Sequence, residues 1–330
     1  MTAGTLVLTR RDVSELLDMD ACITAVEEAF RLEGEGRAPR PGILSFPTAG
    51  GGFHIKAAAL ELKRPYFAAK VNGNFPGNRE RFGLPTIQGV VVLCDAENGS
   101  PLALIDSMEI TSLRTAAATA VAAKSLARPD SRVAAICGCG RQGRAQLAAL
   151  CRVLPLTKAI VFDTDSGTAE SFAREMEPIL GLEIVPVGEA AAAVAACDVC
   201  VTCTPSRSAF LRRPDLPAGL FLAAVGADSS EKQELDSEIL ASARLVVDVL
   251  EQCASIGELH HALDAGVLTR ADVYGELSEI VAGRQPGRQS RNEIVVFDST
   301  GTALEDVAAA AAVYERATAA GCGLRCDLAR

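Results

Sequence analysis

The chain has 330 residues, 49% of them apolar but only 4% aromatic and none Trp, so about two domains with cores of Ala, Val, Leu and Ile are expected. A formal net charge of −10 excludes nucleic acid and anionic membrane as main partners, since both need a basic surface. The eleven cysteines are odd in number, scattered and mostly set in apolar runs, which reads as small buried hydrophobes in a reducing compartment.

Taken in chain order, the opening stretch MTAGTLVLTRRD has no apolar run long enough for a signal-peptide core. No later segment approaches ~20 uncharged apolar residues, so no membrane span and a cytoplasmic location are expected. Residues 19–37 follow helical periodicity, with Ile23, Val26 and Phe30 on one face. From about residue 42 to 105 the pattern changes to short strands and turns, with candidates at 53–59, 66–72, 89–94 and 102–105. Asn98-Gly99 supplies a hairpin signal between the last two. Asp106 and Glu109 have capping-box spacing and open a long helix to about Leu126, and Pro129, Asp130 and Ser131 then break the chain.

From Arg132 to about Val281, strands at 133–137, 159–162, 198–202, 220–225 and 245–249 alternate with helices. Such alternation predicts a parallel sheet with helices on both faces. An Ala-rich helix at about 302–319 follows. The fold class expected is α/β: a Rossmann-type parallel-sheet domain, residues 116–301, inserted in a mixed α+β domain made of residues 1–115 and 302–330.

The apolar strand Val133-Ala134-Ala135-Ile136-Cys137 runs directly into Gly138-Cys139-Gly140-Arg141-Gln142-Gly143, ahead of the helical run 145–150. A bare G-x-G-x-x-G is weak evidence, but here it lies after a strand and before a helix. Gly138 permits a tight turn, Gly140 lets backbone approach a pyrophosphate, and Gly143 lets helix pack closely on strand. The helix N-terminus then offers free N–H groups and a positive dipole end to phosphate. Asp163 closes the next strand about twenty residues past the last glycine, placed to accept both ribose hydroxyls and repel a 2′-phosphate. No Arg adjoins Asp163-Thr164-Asp165, which favours NAD over NADP.

Thr202-Cys203-Thr204-Pro205-Ser206 follows another strand, either at the cofactor crevice or simply as a hydroxyl-capped turn. Cys197, Cys200 and Cys203 superficially resemble metal spacing, but in a strand they fall on different faces with no His nearby, so no metal site is expected.

Three stretches precede this fingerprint: Lys70-Val71-Asn72-Gly73-Asn74-Phe75-Pro76-Gly77-Asn78, Gly83-Leu84-Pro85-Thr86-Ile87-Gln88-Gly89 and Ile110-Thr111-Ser112-Leu113-Arg114-Thr115-Ala116-Ala117. After it come Val225-Gly226-Ala227-Asp228 with Lys232 and Glu234-Leu235-Asp236, then Phe297-Asp298-Ser299-Thr300-Gly301 with Glu305-Asp306. In this order the set resembles the ornithine cyclodeaminase/mu-crystallin family over nearly the whole chain.

The resemblance implies a homodimer joined through the strands of its substrate-binding domain, and hydride transfer between a nicotinamide and the Cα of a small amino or imino acid. It assigns Arg40, Lys70 and Arg114 to the substrate carboxylate, which is best oriented by a guanidinium fork plus a point charge. Lys70 lies between Phe67-Ala68-Ala69 and Val71, and a half-buried strand lysine beside arginines should have a lowered pKa suited to proton transfer. Thr86 is assigned to substrate or cofactor through its hydroxyl, and Asp228 to acid–base chemistry at the substrate nitrogen. Arg141, Gln142, Thr204, Val225, Ala227 and Ser299 join the glycines and Asp163 as cofactor-binding positions.

Two stretches depart from the family pattern. Ornithine cyclodeaminases carry a Glu before the strand lysine that pairs with the distal ammonium of the substrate; here the stretch reads His54-Ile55-Lys56-Ala57-Ala58. Gly257-Glu258-Leu259-His260-His261 has no assignment, the histidines being either an exposed helix pair or a border of the pocket. The expectation is an NAD(H)-dependent reductase or dehydrogenase of a small amino or cyclic imino acid. Ornithine cyclodeamination is the alternative, and a non-catalytic nucleotide-binding protein of the mu-crystallin kind a further one, disfavoured because that branch tends to lack an acid where Asp228 stands.

Overall fold

Period-two alternation along residues 51–74 turns Lys56, Ala58, Leu60, Tyr66, Ala68 and Lys70 to one face of two neighbouring strands, in a computed structural model that describes residues 4–328. The chain divides into two units, Met1–Arg114 with Thr302–Arg330, and Thr115–Gly301. In the first, strands Gly42–Thr48, Gly51–Glu61, Pro65–Asn74, Ile87–Asp95 and Pro101–Asp106 form an antiparallel meander. Strand Thr5–Leu8 adds in parallel beside Pro101–Asp106, and Leu324–Cys326 closes that edge antiparallel to it.

Helix Ala303–Ala320 packs across the middle strands of this sheet and against helix Met19–Gly34. Its run of alanines permits the close approach. Its start is fixed by a capping box in which Thr302 and Glu305 satisfy each other's backbone, and its end by Gly321 in the left-handed region at φ 67°. Tyr66, Leu60 and Phe30 are almost fully buried between these layers, each such side chain contributing roughly 1.5–3 kcal/mol.

The second unit carries an eight-stranded sheet whose neighbours all run parallel. Its order is Gly275–Glu276, Arg244–Val247, Val295–Asp298, Phe221–Ala224, Val199–Thr202, Val133–Cys137, Lys158–Phe162, Glu183–Val187. Central strands buried along their whole length explain why they read as continuous apolar runs rather than alternations. Strand order reverses between Val133–Cys137 and Val199–Thr202, and a crevice opens beyond the carboxyl ends of strands at such a point. Among the described residues no helix is long and apolar enough to cross a membrane.

Several strands lie outside the sequence expectation. Gly42–Thr48 is an edge strand with every residue exposed and with Pro47 inside it, so it shows no alternation. Glu183–Val187 is the opposite sheet's edge and carries Pro186. Val295–Asp298 comes last in the unit yet inserts between Phe221–Ala224 and Arg244–Val247, an order no local pattern encodes.

Candidate active site

Each unit holds one set of the candidate residues. In the first, Lys70 projects toward helix Ala303–Ala320 and is only 4% exposed, deeper than its half-apolar surroundings suggest. Its Nζ donates to Asp306 Oδ1 at 2.8 Å and to Thr111 Oγ1 at 3.4 Å. Arg114, buried on helix Ser107–Leu126, lies 2.8 Å from Glu305 Oε2 through Nη1 and 3.0 Å from Asp306 Oδ1 through Nε. Lys56 faces Lys70 directly across the strand pair, on the same side of the sheet.

Burial first, and then the charge of Arg114, push the Lys70 ammonium down to about 7, against the pull of Asp306. Burial alone would raise Asp306, but Lys70 and Arg114 outweigh it and hold the carboxyl below its usual range. Lys70 and Arg114 are thus each paired with a carboxylate at the start of the helix, and Lys56 adds a further positive charge on the same side of the sheet. Such a gathering of cations suits an anion such as a carboxylate.

Glu305 and Asp306, to which the sequence alone assigns no role, between them pair with Lys70 and Arg114. They lie in the first turn of a helix whose capping box was readable, but their partners are far away in sequence. Arg40 is exposed in the segment leading into Gly42–Thr48 and takes no part in this ion network. Thr86 is half-buried, and its carbonyl accepts from the Phe75 amide at 2.8 Å, closing the loop between two strands. Asn72 Oδ1 accepts from Ser107 Oγ at 2.6 Å, and a Cβ on Gly89 would come within 2.0 Å of that oxygen, so the glycine ending the second stretch is sterically required.

In the second unit the glycine turn has a shape that accepts a dinucleotide. Gly138 has φ 107°, and a Cβ there would sit 2.9 Å from the Cys203 carbonyl oxygen; one on Gly143 would sit 2.1 Å from the Gly138 carbonyl oxygen. A Cβ on Gly140 would meet nothing within 4 Å, so the space beside the N-terminus of helix Arg141–Val153 is open. Gly140 also brings no side chain to cap that turn, leaving it to an outside anion. Gln142 and Arg141 follow in the first turn.

Asp163 Oδ2 accepts from the Cys139 amide at 2.8 Å and Oδ1 from the Asp165 amide at 3.1 Å, so the expected ribose acceptor also braces the glycine turn. Arg144 reaches back to the Cys139 carbonyl and pairs with Glu175 at 2.9 Å.

The neighbouring strand ends are gathered around Glu234. Its Oε1 accepts from Thr204 N at 2.6 Å and Thr204 Oγ1 at 2.7 Å, and Oε2 from Gly226 N at 2.9 Å. Val225 and Ala227 are buried, whereas the Asp228 side chain is 54% exposed and pairs with Lys232 Nζ at 2.5 Å. Ser299 is buried, with its amide on the Ala224 carbonyl at 2.9 Å. His261 Nε2 lies 2.7 Å from the Lys232 carbonyl, and His260 pairs with Asp264 at 3.4 Å. Among the described residues no group of three or more His, Cys, Asp or Glu is placed to hold a metal. Hydrogen bonding with Cys137 and Cys197, and then burial, raise the Cys200 thiol, which makes it a poor thiolate ligand.

A family model described as "Ornithine cyclodeaminase/mu-crystallin family" matches residues 3–321. The alanine dehydrogenase of Archaeoglobus fulgidus is 40% identical over 320 residues, 97% of either chain. A solved archaeal alanine dehydrogenase, a dimer with bound NAD, superposes with a TM-score of 0.94 at 40% identity, covering 98% of this chain and 99% of that one. The Δ1-pyrroline-2-carboxylate reductase of Thermococcus litoralis, in complex with NADH and L-proline, gives 0.93 at 35% identity over 98% and 100%.

Proposed function

The chain belongs to the ornithine cyclodeaminase/mu-crystallin family, and we propose that it reduces the C=N bond of a small imino acid at Cα, with Δ1-pyrroline-2-carboxylate to L-proline as the representative reaction. It is an NAD(H)-dependent oxidoreductase or cyclodeaminase. The observation that carries the finer reading is the buried Lys70–Arg114–Glu305–Asp306 network with Lys56 beside it, which gathers three cationic side chains in one place.

NADH, when bound, supplies the hydride. Gly138, Gly140 and Gly143 with the turn Arg141-Gln142 would hold its pyrophosphate, and Asp163 its adenosine ribose. Thr204, Val225, Ala227 and Ser299 complete the cofactor side. Arg114, kept in orientation by Glu305 and Asp306, grips the substrate carboxylate together with Lys70, and Arg40 adds a third cation from outside the network. Lys70, poised near neutrality, relays a proton, while Asp228 stabilises the protonated imine nitrogen and exchanges its proton. Thr86 orients the substrate or nicotinamide through its hydroxyl.

Lys56 disfavours cyclodeamination, because an ammonium opposite Lys70 repels the distal ammonium of a diamino acid. Asp163, a carboxylate, supports NADH over NADPH. A homodimer is part of the proposal. The sheet face opposite helix Ala303–Ala320 carries Ile55, Ala57, Phe67, Ala69, Val71 and Val92, apolar yet partly exposed, and Ile43, Leu44 and Phe46 stand exposed on the edge strand. A cytoplasmic setting is supported by the eleven free cysteines.

The test is a panel followed by nicotinamide absorbance: Δ1-pyrroline-2-carboxylate, pyruvate with ammonium, and L-ornithine. Steady NADH oxidation with the cyclic imine supports the proposal. Proline formed from ornithine without net change in NADH would assign the cyclodeaminase, and bound NADH inert to every imino acid would assign a binding protein.

A further inference from the structure

The stretch Gly257-Glu258-Leu259-His260-His261, left without a role by its sequence, packs against the loop that carries Asp228. Glu258 Oε1 accepts from the Glu234 amide at 2.7 Å and Oε2 from the Leu235 amide at 3.1 Å. His261 Nε2 adds the contact at 2.7 Å to the Lys232 carbonyl. Helix Glu258–Asp264 is itself anchored, since Leu259 N donates to Asp298 Oδ2 at 2.9 Å.

Glu234, held by its backbone on Glu258, then points its carboxylate the other way, to Thr204 and to Gly226. Residues 226–235 are therefore clamped at both ends, Gly226 by the Glu234 side chain and Lys232–Leu235 by Glu258 and His261. Asp228 lies between and pairs with Lys232 at the clamped end.

Both carboxylates are deeply buried, Glu234 at 0% and Glu258 at 1% exposure, and the hydrogen bonds they accept come from amides and one hydroxyl, not from a cation. Charges in that setting are expensive, and a well-packed apolar pair would serve stability at least as well. What an apolar pair cannot do is fix amides of three separate segments, at 204, 226 and 234–235, in one arrangement. Glutamine cannot do so either: both oxygens of each side chain face N–H donors, and an amide turned either way sets its own NH2 against one of them.

We propose that Glu234 and Glu258 are positioning residues that fix the place of Asp228, acting through the 226–235 segment and without touching substrate. This rests on the reading of Asp228 as the acid–base group, and the test separates the two. The full-length variants Glu258→Gln, Asp228→Asn and the double variant are assayed with NADH and Δ1-pyrroline-2-carboxylate, alongside NADH titration and hydrogen exchange. In Glu258→Gln, kcat should fall about tenfold or more while NADH affinity stays within about threefold, and exchange should quicken in 226–235 alone. In the Asp228→Asn background the same change should cost little further rate, since its effect runs through Asp228.

A wild-type kcat in Glu258→Gln, equal losses in both backgrounds, or faster exchange throughout the unit would overturn the proposal. Full activity in Asp228→Asn would sink the reading of Asp228 and the proposal with it, whereas loss there with normal Glu258→Gln sinks the proposal alone. Should Glu258→Gln not fold, Gly226→Ala makes the same test sterically, because its Cβ would come 2.5 Å from both the Glu234 carboxylate and the Thr204 carbonyl.

Discussion

At Lys70 burial and the charge of Arg114 outweigh Asp306 and push the ammonium down to about 7. Above that pH the site loses one of its cations. The kcat/KM for an imino acid, at saturating NADH, should therefore fall as pH rises through about 7. Lys70→Arg, which stays charged, should abolish that limb even if its fixed fork lowers the overall rate. An unchanged pH profile in that variant would assign the limb elsewhere.

Asp163 has two tasks that one substitution separates. Asp163→Asn keeps one oxygen for the Cys139 amide, gives up the bond from the Asp165 amide, and removes the charge that repels a 2′-phosphate. The ratio of kcat/KM for NADH over NADPH should drop about tenfold or more in Asp163→Asn, with a smaller loss of melting temperature than in Asp163→Ala, which gives up both bonds and loosens the turn. An unchanged ratio in both would remove the ribose role.

At the level of elements, the glycine turn makes a sharper contrast. A methyl on Gly140 projects into open space, so Gly140→Ala should leave the melting temperature within a degree or two and weaken NADH binding about tenfold or more. A methyl on Gly143 collides with the Gly138 carbonyl at 2.1 Å, so Gly143→Ala should lower both. Calorimetry and fluorescence titration of the two proteins decide the matter; equal effects on both observables would mean that Gly140 serves only the fold.

This turn was legible because strand Val133–Cys137, three glycines and a helix follow one another within a few residues, and local chemistry suffices to read them. The buried pairing at Lys70 was legible only by half. Its apolar neighbours announced burial, but Asp306 lies 236 positions along the chain, and nothing in either segment names the other. Edge strand Gly42–Thr48 and the late-inserting Val295–Asp298 escaped for related reasons: the first has no buried face to pattern it, and the second takes its place from topology. The motif beginning at Gly257 was visible but mute, because its partners are backbone amides, which carry no sequence signature.

Across the molecule, acidic groups buried without cations set the response to pH. Burial first, and then Asp248, raise Asp298 to about 7, and burial also raises Glu234 and Glu258. A raised carboxyl contributes stability below its unfolded pKa that is lost as pH climbs through the folded value. The second unit should thus lose stability between about pH 4 and pH 7 on account of Asp298, and Asp298→Asn should flatten that part of a melting-temperature profile. A profile as steep as the wild type's would place the effect in Glu234 and Glu258.

In the proposed reaction hydride reaches the Cα of an imino acid held by Lys70 and Arg114. This transfer is tested most directly by supplying NADH deuterated at the transferring C4 position with Δ1-pyrroline-2-carboxylate and examining the product by mass spectrometry and proton NMR. L-proline should carry one deuterium at Cα, form at the rate at which NADH is consumed, and fail to form in Arg114→Met. Proline without label, or oxidation of NADH with the label released to water, would contradict it.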